Sequence, residues 1–300
     1  MSGYLTDEDE NRRRAGESRP QDPAGETADR LGELLDAVAC GGLQPAAARE
    51  ELSRLGISQV GDFARLDVGR AHRTGVPEVV LARGKTPGQL ADVVMAFSRH
   101  SGLVLCSKTS REQAAAVEEA LQTGWDGPGP GEPEQLERPS VVYDERAAVL
   151  TVTSPDYRAP EPCGVIGVVA AGTSDVAVAE EAAIVGTAMA VEVITAYDVG
   201  VAGLHRLGGP LSEMMERGAA ALVVAAGMEG ALPSVVAGLV DVPVIGLPTS
   251  VGYGYGGDGE AALMGMLQSC VPGLVVVNID NGVGAGITAA LIARRAVGAC

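Results

Sequence analysis

Four side chains in this sequence stand where chemistry could be done: Cys270, Glu229, Asp175 and Asp280. Cys270 closes the apolar run GEAALMGMLQSC, two residues before Pro272. A thiolate is a strong nucleophile, but a lone cysteine on an apolar helix is often inert packing. The C-terminus of a helix also carries partial negative charge, which disfavours a thiolate. Cys270 as a nucleophile would therefore need positive charge from elsewhere, and a cationic substrate would supply it. Glu229 lies between Met228 and Gly230, just after the apolar run ALVVAA. It reads either as a solvated loop carboxylate or as a group presented at a strand end. Asp280 follows VVVNI, and a carboxylate that close to a buried strand needs partners, which loop amides can provide. Ser174 and Asp175 precede a helical stretch and can cap it. Thr173, Ser174 and the amides of the helix start could also cradle a phosphate. His205 with Arg206 beside it could hold a phosphate or carboxylate. His72 and His100 read as surface residues, and no two histidines have metal-ligand spacing, so no metal ligand is assigned.

These residues need a frame, and the second half of the chain has a regular one. From Gly164 onward, apolar runs (GVIGVVAAG, VEVITAY, ALVVAAG, PVIGLPTS, GLVVVNIDN) alternate five times with helical patterns. The runs are apolar throughout, as expected of parallel strands covered on both faces. The expected fold class is α/β: a C-terminal doubly wound parallel sheet preceded by a smaller α/β N-terminal domain. Ligands of such sheets bind at the carboxyl ends of the strands, near the point where strand order reverses. The polar and Gly-rich residues gather at those ends: Gly172 to Asp175, Tyr197-Asp198, Gly227-Met228-Glu229, Thr249 to Tyr253 with Gly252 among them, and Asn278 to Asp280. AAGTSD is neither the GxGxxG dinucleotide fingerprint nor a GxxxxGK[ST] phosphate loop.

Residues 1–26 are charged and poor in large apolar side chains, which predicts a disordered tail. Residues 27–123 predict a small α/β domain with two short helices first; 124–160 a Gly/Pro-rich linker and a hairpin; 161–300 the main domain. Aromatic residues make up only 3% of the 300, so small aliphatic side chains must build the core. A net charge of −17 argues against nucleic acid and against an anionic membrane as partner. There is no span of about 20 uninterrupted apolar residues and no apolar N-terminal stretch, so a cytoplasmic protein is expected. Five widely spaced cysteines without a CxxC predict reduced thiols rather than a disulfide framework or a zinc site.

The assembled segments resemble a family. GVIGVVAAGTSD, TAYDVGVAGLHRL, VVAAGMEGALPSVVAGLVDVPVIGLPTSVGYG and MLQSCVPGLVVVNIDNGVGAG look like the nickel-pincer cofactor biosynthesis family LarB. LDVGRAHRTGVPEVVLARGKT resembles that family's first domain, so the likeness covers roughly residues 30–297. The C-terminal half is also similar to PurE-type aminoimidazole ribonucleotide carboxylases and mutases, implying a PurE- or flavodoxin-like sheet. Where those enzymes carry a histidine, this chain has Ala231, which disfavours the purine reaction. Asp258 and Glu260 depart from the small or apolar residues expected there.

The LarB resemblance implies carboxylation of the pyridinium C5 of nicotinic acid adenine dinucleotide by CO2 or bicarbonate. Hydrolysis of the phosphoanhydride then releases AMP and pyridinium-3,5-biscarboxylic acid mononucleotide. The family's nucleophile matches Cys270. Glu229 would be the general base or water-orienting group, with Asp175 second. Thr173, Ser174 and Arg206 would contact phosphate or carboxylate, and Gly172, Asp198, His205, Gly227, Met228, Gly252, Tyr253, Asn278 and Asp280 complete the expected substrate site. Mg²⁺ would assist hydrolysis, and no tightly bound organic cofactor is expected. A homo-oligomer, dimer to octamer, is the expected assembly. The alternatives are a PurE-type carboxylase or mutase, and a nucleotide-binding module without turnover.

Overall fold

A computed structural model describes residues 34–45, 47–48, 57–61, 63–67, 70, 74–99, 101–125 and 138–298. The expected tail, most of the Gly/Pro-rich linker, His72 and His100 lie outside them. The chain divides into two compact units, Met1–Gly69 and Arg70–Cys300. In the first unit, residues 34–39 are helical. β1 (Ile57–Val60) and β2 (Ala64–Asp67) pair as an antiparallel hairpin that the apolar pattern did not announce.

The second unit holds two sheets. The four-stranded one has the order β3-β4-β6-β5, built from β3 (Val79–Leu81), β4 (Leu103–Ser107), β5 (Ser140–Asp144) and β6 (Val149–Thr153). β3 and β4 are parallel, while β6 runs antiparallel to both of its neighbours. The hairpin that the sequence reading grouped with the linker thus forms the outer half of this sheet. Its helices start on capping boxes. Thr86 pairs with Gln89 ahead of α1 (Pro87–Ser98), and Ser110 with Gln113 ahead of α2 (Arg111–Gly124). α1 buries Leu90, Val93, Val94 and Phe97, one face at helical spacing.

The five-stranded sheet consists of β7 (Val165–Ala170), β8 (Glu192–Ala196), β9 (Ala219–Ala226), β10 (Val244–Pro248) and β11 (Leu274–Val276). All pairs are parallel in the order β11-β10-β9-β7-β8, so the order reverses between β7 and β9. Successive residues alternate faces. Ile166, Val168 and Ala170 pack with Val223 and Ala225 beneath α3 (Val176–Ala188) and α7 (Gly282–Ala296). Val169, Leu222 and Val224 face α4 (Gly208–Glu216), α5 (Ala231–Ala237) and α6 (Glu260–Leu267). The sheet is doubly wound, as expected, and α3 and α7 meet through alanine and glycine. A Cβ on Gly286 would lie 2.5 Å from the Ala182 carbonyl oxygen. Such close approach is what a core almost without aromatics allows.

The expectation of reduced thiols needs one correction. Cys40, Cys106 and Cys270 are free, but Cys163 is disulfide-bonded. Among the described residues no helix is long and apolar enough to cross a membrane.

Candidate active site

At the switch point the turn after β7 continues the ladder, with the Ala171 amide donating to Ala225, and then closes a 3-10 turn over Thr173–Asp175. Asp175 is only 5% exposed. One of its oxygens accepts the Gly172 amide at 2.9 Å, and the other accepts the buried Thr249 hydroxyl at 2.6 Å. The carboxylate therefore spans from β7 to β10 across the end of β9. It is committed to holding two loops and does not cap α3, leaving Thr173 and Ser174 exposed at the helix start.

The turn after β9 lies beneath that bridge. Thr249 donates its amide to Ala226, and Met228 donates its amide to Val251. A Cβ on Gly227 would meet the Val251 carbonyl oxygen at 2.1 Å, so only glycine fits there. Met228 then turns left-handed at φ 52°, Gly230 follows at 66°, and α5 begins at Ala231. Glu229 sits on this turn with its side chain exposed. Strand-end backbone strain recurs: Asp198, Met228, Asp258 and Asp280 are all left-handed non-glycine residues in loops at this end of the sheet.

The loop after β10 is tied from its other side. Asp280 donates its amide to Pro248, and its carboxylate accepts the Ser250 amide at 2.8 Å. These are the loop partners that its position demanded. Asn278 is exposed and accepts the Ile279 amide. Gly252 is exposed, and Tyr253 is 82% exposed on this loop. At the β8 end, Arg206 pairs with Asp198 at 2.6 Å, so this cation is already neutralised in part, and His205 beside it is exposed. The loop after β8 adjoins the turn after β7, because a Cβ on Gly200 would be 2.8 Å from the Ala171 carbonyl oxygen.

Cys270 departs from expectation in one respect. α6 ends at Leu267, so the thiol lies beyond the helix in the connection to β11, and it is exposed rather than packed. α6 is seated on the Glu229 turn: a Cβ on Gly265 would lie 2.3 Å from the Glu229 carbonyl oxygen. Just past α6, Ser269 is hydrogen-bonded to Ser234 of α5 at 2.8 Å. The Glu229 turn, at the carboxyl end of β9, thus packs on α6, while Cys270 lies between the end of α6 and the start of β11. Asp175 belongs to the loop scaffold at the strand ends.

The sequence did not single out Thr249 as a partner of Asp175, nor Glu181, a fully buried carboxylate in α3. The signal for Glu181 was present, as a charge inside the apolar stripe of VAVAEEAAIV. A cleft of about 400 Å³ lies elsewhere, between Leu103, Leu105 and Thr151 on one side and Glu180, Ile184 and Thr187 of α3 on the other. It contains none of the residues singled out from the sequence. Among the described residues, no group of three His, Cys, Asp or Glu side chains could hold a metal ion.

Comparison with known proteins agrees with this architecture. Residues 57–154 match the LarB/PurE-like N-terminal domain, and residues 165–298 match AIR carboxylase. An uncharacterized protein of Methanocaldococcus jannaschii is 38% identical over 264 residues, covering 88% of this chain and 97% of its own. With the two domains in this order on an all-parallel switch-point sheet, the chain belongs to the LarB family of PurE-like carboxylases.

Proposed function

We propose that this protein carboxylates the pyridinium ring of nicotinic acid adenine dinucleotide at C5 and hydrolyses its phosphoanhydride. The products are pyridinium-3,5-biscarboxylic acid mononucleotide and AMP. The observation that carries the reading is the LarB/PurE-like N-terminal domain followed by an AIR carboxylase domain that offers an exposed free thiol, Cys270, and an exposed carboxylate, Glu229. A pyridinium C5 is electron-poor and does not attack CO2. Addition of the Cys270 thiolate at ring C4 forms a C–S bond and moves a π pair onto the ring nitrogen, leaving a neutral enamine. Its C5 then attacks CO2 and forms the new C–C bond. Glu229 takes the C5 proton, the C–S pair returns to sulfur, and the ring regains its aromaticity. The cationic ring supplies the positive charge that the thiolate otherwise lacks here.

In this reading Thr173, Ser174 and the amides after β7 meet the pyrophosphate, and Arg206 adds the N–H groups that Asp198 leaves free. Among the described residues, no group of three His, Cys, Asp or Glu side chains could hold a divalent ion. A Mg²⁺ acting on the anhydride would be held by the substrate's phosphates. The purine reaction is disfavoured because the family histidine is replaced by Ala231, here the first residue of α5.

The test is product mass spectrometry. Purified protein is incubated with the dinucleotide, labelled bicarbonate and Mg²⁺, beside a Cys270→Ala control. A labelled dicarboxylated mononucleotide plus AMP, absent from the control, is the expected result. Equal product in both samples would remove Cys270 from its role, and no product from folded protein that binds the dinucleotide would favour the binding-module alternative.

A further inference from the structure

The site loops account for Asp175, Thr249 and Asp280, but not for Glu181, which is 0% exposed. Taking a carboxylate out of water costs several kcal/mol unless charge and hydrogen bonds replace the water. Three donors do so. The Ser107 hydroxyl donates to one oxygen at 2.7 Å; the Lys108 ammonium and the Gly282 amide donate to the other at 2.8 and 3.1 Å. Two of the three come from the end of β4, in the four-stranded sheet, and Lys108 takes a left-handed backbone (φ 55°) there. The third is the first residue of α7.

From Gly282 the contacts lead to the candidate site. Asn281 caps α7 by accepting the Gly284 amide at 2.8 Å, and its neighbour Asp280 holds the Ser250 amide. Ser250 adjoins Thr249, whose hydroxyl is bound to Asp175. Gly282 has little freedom to settle elsewhere, since a Cβ there would be 2.7 Å from both the Glu181 carboxylate and the Val178 carbonyl oxygen. A leucine at 181 would fill the same space without the desolvation cost. What a charged, fully bonded group adds is direction: it fixes where α7 starts.

We propose that Glu181 is a positioning residue. Held by Ser107 and Lys108 of the N-terminal sheet, it sets the first turn of α7 and, through Asp280, the Thr249–Ser250 turn of the site. This gives the N-terminal sheet a role in the reaction without touching substrate. The kinetic part rests on the carboxylase reading above, whereas the structural part does not.

The experiment compares Glu181→Leu, Lys108→Met and Lys108→Arg in the full chain by residue-resolved amide hydrogen exchange. In Glu181→Leu and Lys108→Met, exchange at Ser250 and Gly282 rises about tenfold or more, while the β9 amides of residues 221–226 keep wild-type protection. Lys108→Arg keeps wild-type protection throughout. In the same variants, kcat for the dicarboxylated product falls about tenfold in Lys108→Met, and most of it returns in Lys108→Arg. Unchanged exchange at Ser250 in both disrupted variants overturns the proposal. So does exchange that rises in step with β9, which would mean general destabilisation. Should Glu181→Leu not fold, Lys108→Met, altered at a partly exposed side chain, decides alone. Should the wild type make no carboxylated product, the proposed function fails while the exchange result still stands.

Discussion

The two sheets of the larger unit end their strands in opposite ways. After β4, the polar side chains turn inward: Ser107 and Lys108 bind Glu181, and the Thr109 hydroxyl donates to the Cys106 carbonyl. After the strands of the five-stranded sheet, two buried groups (Asp175 and Thr249) and the partly exposed Asp280 carboxylate hold the loops, and the rest of the polar set is left outward. One end fastens and the other presents. The thiols differ in burial as well, since Cys106 is fully buried in β4 and Cys270 is exposed between α6 and β11.

The largest expected effect is at the exposed thiol. Cys270→Ala lowers the rate of labelled product formation about 10³-fold or more, as loss of a covalent nucleophile does, with melting temperature unchanged. Cys106→Ala at the fastening end leaves the rate within about twofold. Glu229→Gln comes next, with a loss of about 10²- to 10⁴-fold, the usual contribution of a positioned proton acceptor, again without loss of stability. A Glu229→Gln enzyme with full kcat would move the base elsewhere.

Gly227→Ala sharpens the comparison from the scaffold side. The new methyl meets the Val251 carbonyl at 2.1 Å and the Thr249 hydroxyl at 2.8 Å, and backbone cannot yield cheaply. We expect a cost of about 1–3 kcal/mol by chemical denaturation, with activity falling because the Thr249 loop lifts. Asp175→Ala leaves the Thr249 hydroxyl and the Gly172 amide unpaired. It should cost about 2–6 kcal/mol, each orphaned group contributing about 1–3 and the part-buried Gly172 amide the smaller share. If Asp175→Asn keeps both stability and rate, the carboxylate acts as a holding group and not as the second base.

The alternation of apolar runs and helical patterns was enough to read the five-stranded sheet, because strands buried on both faces leave a signal in composition alone. The side carrying the polar loops followed from strand direction. The β1–β2 hairpin was not legible: ISQV and ARLD have neither length nor alternation to distinguish them. Nor was the inward role of Asp175. From sequence it was a helix cap or a base, and only the approach of Thr249, 74 residues away, makes it a bridge. Glu181 was hidden for the same reason, with donors 74, 73 and 101 residues distant. Spacing along a chain reports local geometry, whereas these groups are defined by long-range pairing.

The smallest effect at neutral pH separates the two thiols without any substrate. Burial pushes the Cys106 thiol from 9.0 up to about 12, only partly opposed by the positive charge of Lys85. At pH 8 it is almost wholly protonated and shielded, so a thiol reagent should modify native Cys270 within minutes and Cys106 only after unfolding. The raised value also sets a direction for stability. The folded state holds the Cys106 proton more tightly than the unfolded chain, so this contribution is complete below pH 9 and is lost as pH rises toward 12. Denaturation midpoints should therefore fall over that interval in the wild type and fall less in Cys106→Ala, while Cys270→Ala follows the wild-type curve. If Cys106→Ala instead tracks the wild type up to pH 12, the β4 end is open to water, and its contrast with the presenting end is lost.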